Sequence, residues 1–190
     1  LLRWADEDSS AVELQHLVRY VRREMWDEEE LRRIHALAAE HWSEHPESQA
    51  RFVEFHHRLA AEDPDVSAFI TLHAEDLGNC DDGALATLLH DGIQKRPEVD
   101  ALWHLATKTA LDRGERDVVE DLLDRMPNSN SGDALVLRAR NALQLGNTQE
   151  AEKLQNEAAS SSSPEERIRI TISQMTRILE DRLPNGQPSL

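Results

Sequence analysis

A spacing of about 34 residues, a length typical of helical repeats, runs through the last two thirds of the chain and constrains its fold more than any other feature. The tripeptide Leu77-Gly78-Asn79 recurs at Leu145-Gly146-Asn147, two such spacings later. Pro64, Pro97 and Ser131 follow one another at nearly the same step. A fixed spacing of this length is the mark of a helical solenoid, in which each two-helix unit buries its apolar face by stacking on its neighbours. The spacing therefore predicts an all-α chain of helical hairpins whose task is binding.

Four short capping patterns mark the starts of helices. In each pattern, a side chain able to cap a helix stands three residues before a glutamate that can hydrogen bond back to the backbone of the cap. The patterns occupy Ser10–Glu13, Asp27–Glu30, Asn147–Glu150 and Ser163–Glu166. Apolar residues recur behind these starts and between the prolines at the spacing of a helix face, and strand-like alternation is almost absent. We therefore expect about ten helices.

The chain has no Ser-, Gly- or Pro-rich stretch in its middle that is long enough to be a linker, so we predict one continuous array. Residues 1–63 would form N-terminal helices that are either divergent repeats or a separate cap. Residues 64–163 would form about three hairpins. Residues 164–183 would form a capping helix, because an uncovered solenoid end leaves apolar surface in water, although residues 167–172 alternate like a strand. Residues 184–190 would form a flexible tail.

The charge of the chain restricts the class of partner. It carries 37 acidic and 21 basic residues, a formal net charge of −16. This charge argues against nucleic acid, because binding to phosphates relies on Lys and Arg that displace counterions. No apolar run reaches the roughly 18 to 20 residues that span a bilayer, so we expect no membrane insertion. A neutral or basic protein fits the charge, and the plain solubility of solvated helix faces explains it as well.

The ends and the cysteine content leave the cellular context open. The first residue is leucine rather than methionine, so we expect the sequence to be part of a longer protein. We also expect a bacterial source. Cys80 is the one cysteine, and no disulfide can form within the chain. Both the cytoplasm and the periplasm stay possible compartments.

Nine histidines suggest a metal site. His41 and His45 stand on one side of a helix at a spacing that zinc sites use, and Glu44 or the His56-His57 pair could add a ligand. No cysteine cluster or further ligand motif completes such a site. We therefore expect a partly buried His41 beside Trp42, a solvent-facing His45, and no bound metal.

An enzymatic role has little support in the sequence. Asp81 and Asp82 follow Cys80 directly, and their negative charge would raise the pKa of the thiol, which disfavours a nucleophilic cysteine. The seven glycines stand singly, so no phosphate-binding loop is present. We expect no catalytic residue and no cofactor.

The unit from Ala134 to Pro164 resembles the tetratricopeptide repeat. The large, small, glycine and alanine positions of that family are matched by Leu135, Ala139, Ala142, Gly146 and Ala151. The preceding unit is similar, with Trp103, Ala110, Gly114 and Leu123 at the equivalent places. Arg138 and Gln155 depart from the family, which usually has apolar residues there. The resemblance covers about residues 64–164.

This resemblance implies a right-handed superhelical solenoid whose first helices line a concave groove for a peptide or for a helix of a partner. The family's groove positions, carried onto this chain, select three residues from each of three units: Leu72, Glu75, Asp76, His104, Lys108, Leu111, Val136, Arg140 and Gln144. The alternative is that these side chains are merely exposed residues on helix faces.

We therefore expect a non-catalytic scaffold that binds a protein or peptide in this groove. Two other hypotheses stay open. The chain could be the regulatory or substrate-presenting region of a larger multidomain enzyme or of a bacterial envelope-assembly complex. It could also form homo-oligomers through an open end of the solenoid.

Overall fold

A computed structural model describes residues 27–80 and 82–161. The first predicted helix, the predicted capping helix over 164–183 and the tail lie outside these residues. The described residues form eight helices and no strand: α1 Glu28–Ser43, α2 Ser48–Ala60, α3 Val66–Gly78, α4 Asp82–Lys95, α5 Asp100–Arg113, α6 Arg116–Arg125, α7 Gly132–Gln144 and α8 Thr148–Ser161. The all-α prediction is thus confirmed for the described part of the chain. The total of about ten helices stays a prediction.

The chain divides into two compact units, residues 1–69 and residues 70–190. The division falls inside α3, between Phe69 and Ile70. The limits predicted from the sequence at residues 63, 163 and 183 stay predictions, and the two units are described separately below.

In the first unit, α1 and α2 pack against each other. Helix α1 begins where the capping pattern predicts, since the side chain of Asp27 accepts a hydrogen bond from the backbone N–H of Glu30 at 2.7 Å. Phe55 is fully buried, and its ring stacks on that of Phe69 with 6.2 Å between the ring centroids. These two rings, Leu59 and Val66 are among the buried apolar residues of the described part of this unit.

The first unit also buries a charge. Glu54 on α2 has only 1% of its side chain exposed, and its carboxylate accepts from Arg51 at 2.6 Å and from Arg58 at 2.8 Å. Arg58 reaches on to Asp63 in the turn after α2, and its guanidinium lies 4.9 Å from the centroid of the Phe69 ring. A buried carboxylate needs such partners, because desolvation penalises an unpaired charge strongly.

In the second unit, α5 packs against α4, α6 and α7, while α7 also packs against α6 and α8. The buried side of α5 includes Leu102, Trp103 and Leu105. Trp103 is core, as predicted, and its indole N–H donates to the carbonyl of Pro97 at 2.9 Å. Helix α5 is therefore central to the packing of this unit.

Two glycines close hairpins of the second unit in the same way. Gly114, between α5 and α6, has φ of +70°, and Gly146, between α7 and α8, has φ of +80°. The residue after each glycine donates back across the helix end, Glu115 to Ala110 at 3.0 Å and Asn147 to Ala142 at 2.8 Å. Glycine is favoured here because a left-handed backbone carries a steric penalty for residues with a Cβ.

None of the helices within 27–80 and 82–161 combines the length and the apolar composition that a membrane span requires.

Candidate functional site

A groove of about 420 Å³ opens in the second unit between α3, α5 and α7. Its apolar side chains come from all three helices: Ile70 and Ala74 from α3, Ala101 and Leu105 from α5, and Val136 and Leu137 from α7. Ile70 and Leu105 are almost fully buried and form the floor, whereas Val136 and Leu137 are half-buried. The groove therefore offers an apolar base that other side chains can cover.

Five polar side chains complete the lining: Thr71, Glu75, His104, Lys108 and Asp133. The Glu75 side chain is exposed on α3, and that of Lys108 is half-buried on α5. Neither charge forms an ion pair within the described residues. The carboxylate of Glu75 and the ammonium of Lys108 are thus both available to a ligand. We call this charged edge the rim of the groove.

The ammonium of Lys108 lies beside the end of α3. A Cβ atom at Gly78, the last residue of α3, would stand 3.7 Å from Nζ of Lys108. The last carbonyls of a helix carry partial negative charge, which favours a cation at this end. This end of α3 therefore favours a positive group at the rim of the groove.

Lining residues at equivalent positions of α3, α5 and α7 are separated by the same number of residues along the chain. The step from Thr71 to His104 equals the step from His104 to Leu137, and Glu75 and Lys108 are separated by the same step. Equivalent positions on α3, α5 and α7 thus meet at one surface.

Four of the nine residues selected from the sequence line this groove: Glu75, His104, Lys108 and Val136. The Nε2 atom of His104 is buried. These four come from three different helices, so the structure brings together residues that are far apart in the chain.

The other two residues selected on α3 lie away from the groove lining. Leu72 has 78% of its surface exposed. The carboxylate of Asp76 lies 3.4 Å from Nδ1 of His73. Helix α3 bends at His73, which has a non-helical φ of −114° and ψ of 19°. Thr71, rather than Leu72, occupies the position that the constant step makes equivalent to His104.

The remaining three selected residues hold α5 and α7 together. Leu111 is core, with 1% of its surface exposed. Gln144 donates from Nε2 to the carbonyl of Leu111 at 3.1 Å, and Arg140 pairs with Asp112. These side chains already have intramolecular roles, and their contact with a partner stays a prediction.

The sequence did carry a signal for the lining residues that were missed on α5. Ala101 and Leu105 stand with His104 and Lys108 at the spacing i, i+3, i+4, i+7, which marks one face of a helix. Following that face along α5, rather than stepping from Lys108 to Leu111, selects these lining residues.

A second groove of about 380 Å³ lies on another side of α5, between α4 and α6. Leu89, Ile93, Trp103 and Leu122 supply its apolar lining. Two ion pairs stand at its edge, Arg113 with Glu115 at 2.6 Å and Arg125 with Asp121 at 2.8 Å. The charged groups of these two pairs are therefore already engaged within the chain.

The histidines of α1 and the turn after it differ from the prediction in their exposure. His41 is exposed and His45 is half-buried, the reverse of what the sequence suggested. Their ring centroids are 5.2 Å apart, and each ring lies 5.5 Å from that of Trp42. In the described part of the chain, no three histidine, cysteine or acidic side chains are placed to hold a metal ion.

Cys80, in the turn after α3, has a thiol that resists ionisation. Partial burial raises its pKa above the ordinary value, and the charge of Asp76 raises it further. The thiol also donates to the carbonyl of Asp76 at 3.4 Å. The direction agrees with the expectation from the sequence, and Asp76 is an acidic group that contributes to it.

Comparisons with models of protein families, with curated proteins and with solved structures give no match. The functional argument therefore depends on the geometry of the chain itself.

Proposed function

We propose that residues 64–163 are a tetratricopeptide-like array of helical hairpins that winds into a right-handed superhelix and binds a protein or peptide partner without catalysis. The observation that carries this proposal is the lining of the first groove. It collects side chains from α3, α5 and α7, which are alternate helices in chain order, at a constant step along the sequence. In solenoids, alternate helices of successive hairpins build one extended binding surface.

The lining also suggests how a partner would be held. Ala74 and Ala101 are small, so a helix or an extended segment could approach the floor closely. Apolar side chains of the partner would cover Leu105 and Val136, and this burial would supply affinity. Glu75 and Lys108 would pair with opposite charges of the partner and fix its orientation.

We infer a partner of neutral or basic character. Glu75 and Asp133 outnumber Lys108 among the charged groups of the lining. The whole chain carries a net charge of −16, which attracts positive partners and repels negative ones over long range.

Site-specific cross-linking tests the position of the binding surface. A photoreactive amino acid replaces Thr71 in the groove, and the matched control carries it at Glu120, an exposed residue of α6 outside both grooves. We expect a protein from the source cells to cross-link through position 71 and not through position 120. Equal labelling from both positions, or no bound protein at all, contradicts the proposal.

Charge reversal tests the contribution of the rim. Lys108→Glu is compared with Lys153→Glu, which reverses an exposed lysine of α8 outside this groove. We expect the first variant to lose about thirtyfold or more in affinity for the captured partner, because removing one partner of a desolvated charge pair at an interface costs about 2 kcal/mol or more. The control variant keeps the affinity of the unchanged protein. Circular dichroism and melting temperature establish that both variants are folded.

A further inference from the structure

The second groove has the size and the lining of a small-molecule site. Helices α4 and α6 both pack on α5, and the groove of about 380 Å³ runs between them. Leu89, Ile93 and Trp103 form its floor, since each has 5% or less of its surface exposed. Small-ligand sites usually measure about 300 to 1,000 Å³ and are lined mainly by apolar and aromatic side chains. The groove can therefore bury an apolar ligand.

Helix α6 builds one wall of the groove from acidic and apolar side chains in turn. Asp117 and Asp121 lie about one helical turn apart, and each directly precedes an apolar residue of the lining. These apolar residues are Val118 and Leu122. Val118 keeps 46% of its surface exposed, so a ligand that covers it buries apolar surface beside a carboxylate.

A side chain of the protein already shows which charge this arrangement accepts. Arg125 pairs with Asp121 at 2.8 Å, and its guanidinium lies 5.7 Å from the centroid of the Trp103 ring. A carboxylate and the face of an aromatic ring together favour a positive group. Asp117, one turn earlier on the same wall, forms no ion pair within the described residues. Its carboxylate is therefore open to a cation from outside the chain.

The other charged groups of the lining do not favour an anion. Arg113 pairs with Glu115 at 2.6 Å. Since Arg125 is bound to Asp121, both arginines of the lining have an acidic partner. The lining holds two arginines and three carboxylates, so one negative charge stays unbalanced at Asp117. Charge complementarity thus selects a positive ligand.

We propose that the groove between α4 and α6 binds a small organic cation, in which an apolar chain carries one ammonium group. The apolar chain lies on Leu89, Trp103 and Leu122, and the ammonium contacts the carboxylate of Asp117. Burial of the chain supplies affinity, and the carboxylate selects the charge of the head group. This site is separate from the groove between α3, α5 and α7 and does not depend on the function proposed for that groove.

Three ligands of the same chain length and different head groups test the charge preference. n-Octylammonium, n-octanol and octanoate are each titrated into the full chain at about pH 7 and at low salt, where surface charges are screened least. Nuclear magnetic resonance follows the indole N–H of Trp103 and the methyl groups of Val118 and Leu122. We expect the ammonium to bind about tenfold more tightly than octanoate, because attraction and repulsion at an exposed carboxylate each change affinity by about threefold. Octanoate that binds as tightly as the ammonium, or no binding of the ammonium, overturns the proposal.

Asp117→Asn removes the proposed charge contact and keeps the size of the side chain. We expect the affinity for n-octylammonium to fall about threefold, whereas the affinity for n-octanol changes less than about 1.5-fold. Glu120→Gln is the matched control, because it removes one exposed charge from the same helix outside both grooves. Equal losses in the two variants would show a general attraction by the acidic chain and refute a contact at Asp117.

The same spectra locate the ligand in the unchanged chain. The signals of Trp103, Val118 and Leu122 should shift on addition of n-octylammonium more than those of Val136 and Leu137, which line the first groove. Larger shifts of Val136 and Leu137 would place the cation in the first groove and contradict the proposal.

Discussion

Glu54 shows how a single buried residue can hold several charged side chains together. Its carboxylate joins Arg51 and Arg58 on α2, and Arg58 continues to Asp63 in the following turn. Burial by itself would lower the pKa of Arg58, but the hydrogen bonds of Glu54 and Asp63 raise it above the ordinary value. Arg58 therefore stays charged at any physiological pH. Its partly buried guanidinium needs an acidic partner throughout that range.

Replacing Glu54 by alanine should lower the free energy of unfolding by about 3 kcal/mol, since two arginines lose the same buried partner. This expected loss lies at the low end of the range for broken buried ion pairs. The reason is that Arg51 and Arg58 keep 17% and 24% of their side chains exposed to solvent. Urea denaturation followed by circular dichroism measures the loss. Glu28→Ala, at a carboxylate that is 92% exposed, should change stability by less than about 0.5 kcal/mol. Similar losses in the two variants would contradict the role of burial.

Glu62 stores strain in the backbone between α2 and α3. It has φ of +55°, the one positive value at a non-glycine residue in the described part of the chain. Glu62→Gly and Glu62→Ala both remove the ion pair with Arg32, so their difference reports the backbone alone. We expect the glycine variant to be more stable than the alanine variant by about 1 kcal/mol, as measured by thermal denaturation. A more stable alanine variant would show that this backbone carries no strain.

Single residues also mark the limit of sequence reasoning about the site. One residue of error in register turns a helix face by about 100°. On α3, Leu72 rather than Thr71 was selected, and the bend at His73 adds to the displacement. On α5, His104 and Lys108 were found, but the step to Leu111 led into the core. The helices were predictable from caps and apolar spacing, whereas the face that each helix presents depends on its packing.

At the ends of α3 and α7, the two copies of the tripeptide Leu-Gly-Asn take different backbone conformations. Gly146 of one Leu-Gly-Asn tripeptide closes α7 with a positive φ, whereas Gly78 of the other is the last residue of α3 and has no positive φ. After Gly78, the backbone N–H of Cys80 donates to the carbonyl of Leu77 at 3.2 Å. The sequence that follows Asn79 differs from the sequence that follows Asn147, so the same tripeptide does not guarantee the same cap.

This difference predicts opposite effects of the same substitution. Gly146→Ala and Gly114→Ala should each lower the free energy of unfolding by about 1 kcal/mol, because alanine resists the left-handed backbone. Gly78→Ala should be neutral or slightly stabilising, since its Cβ would meet only Nζ of Lys108 at 3.7 Å, an ordinary contact. Chemical denaturation of the three variants measures the pattern. A loss at Gly78 as large as that at Gly146 would mean that both tripeptides form the same cap.

For the whole molecule, the excess of acidic residues should oppose folding. With a net charge of −16, the compact state brings like charges together. Raising NaCl from about 10 mM to about 150 mM shortens the screening length from about 30 Å to about 8 Å. We expect the melting temperature to rise by about 2 to 4 °C, which corresponds to about 1 kcal/mol for a chain of this size. A fall in melting temperature would show that ion pairs such as Arg58 with Glu54 outweigh the general repulsion.

Helix α5 lines both of the grooves described above. Trp103 and Ala110 face the groove between α4 and α6, whereas His104 and Lys108 face the groove between α3 and α7. Thr107 and Thr109 are buried as well. Their hydroxyl groups donate hydrogen bonds to the backbone carbonyls of Trp103 and Leu105, respectively. Few positions on this helix are therefore without a packing or lining role, because each of two sides of the same helix forms the wall of a different groove.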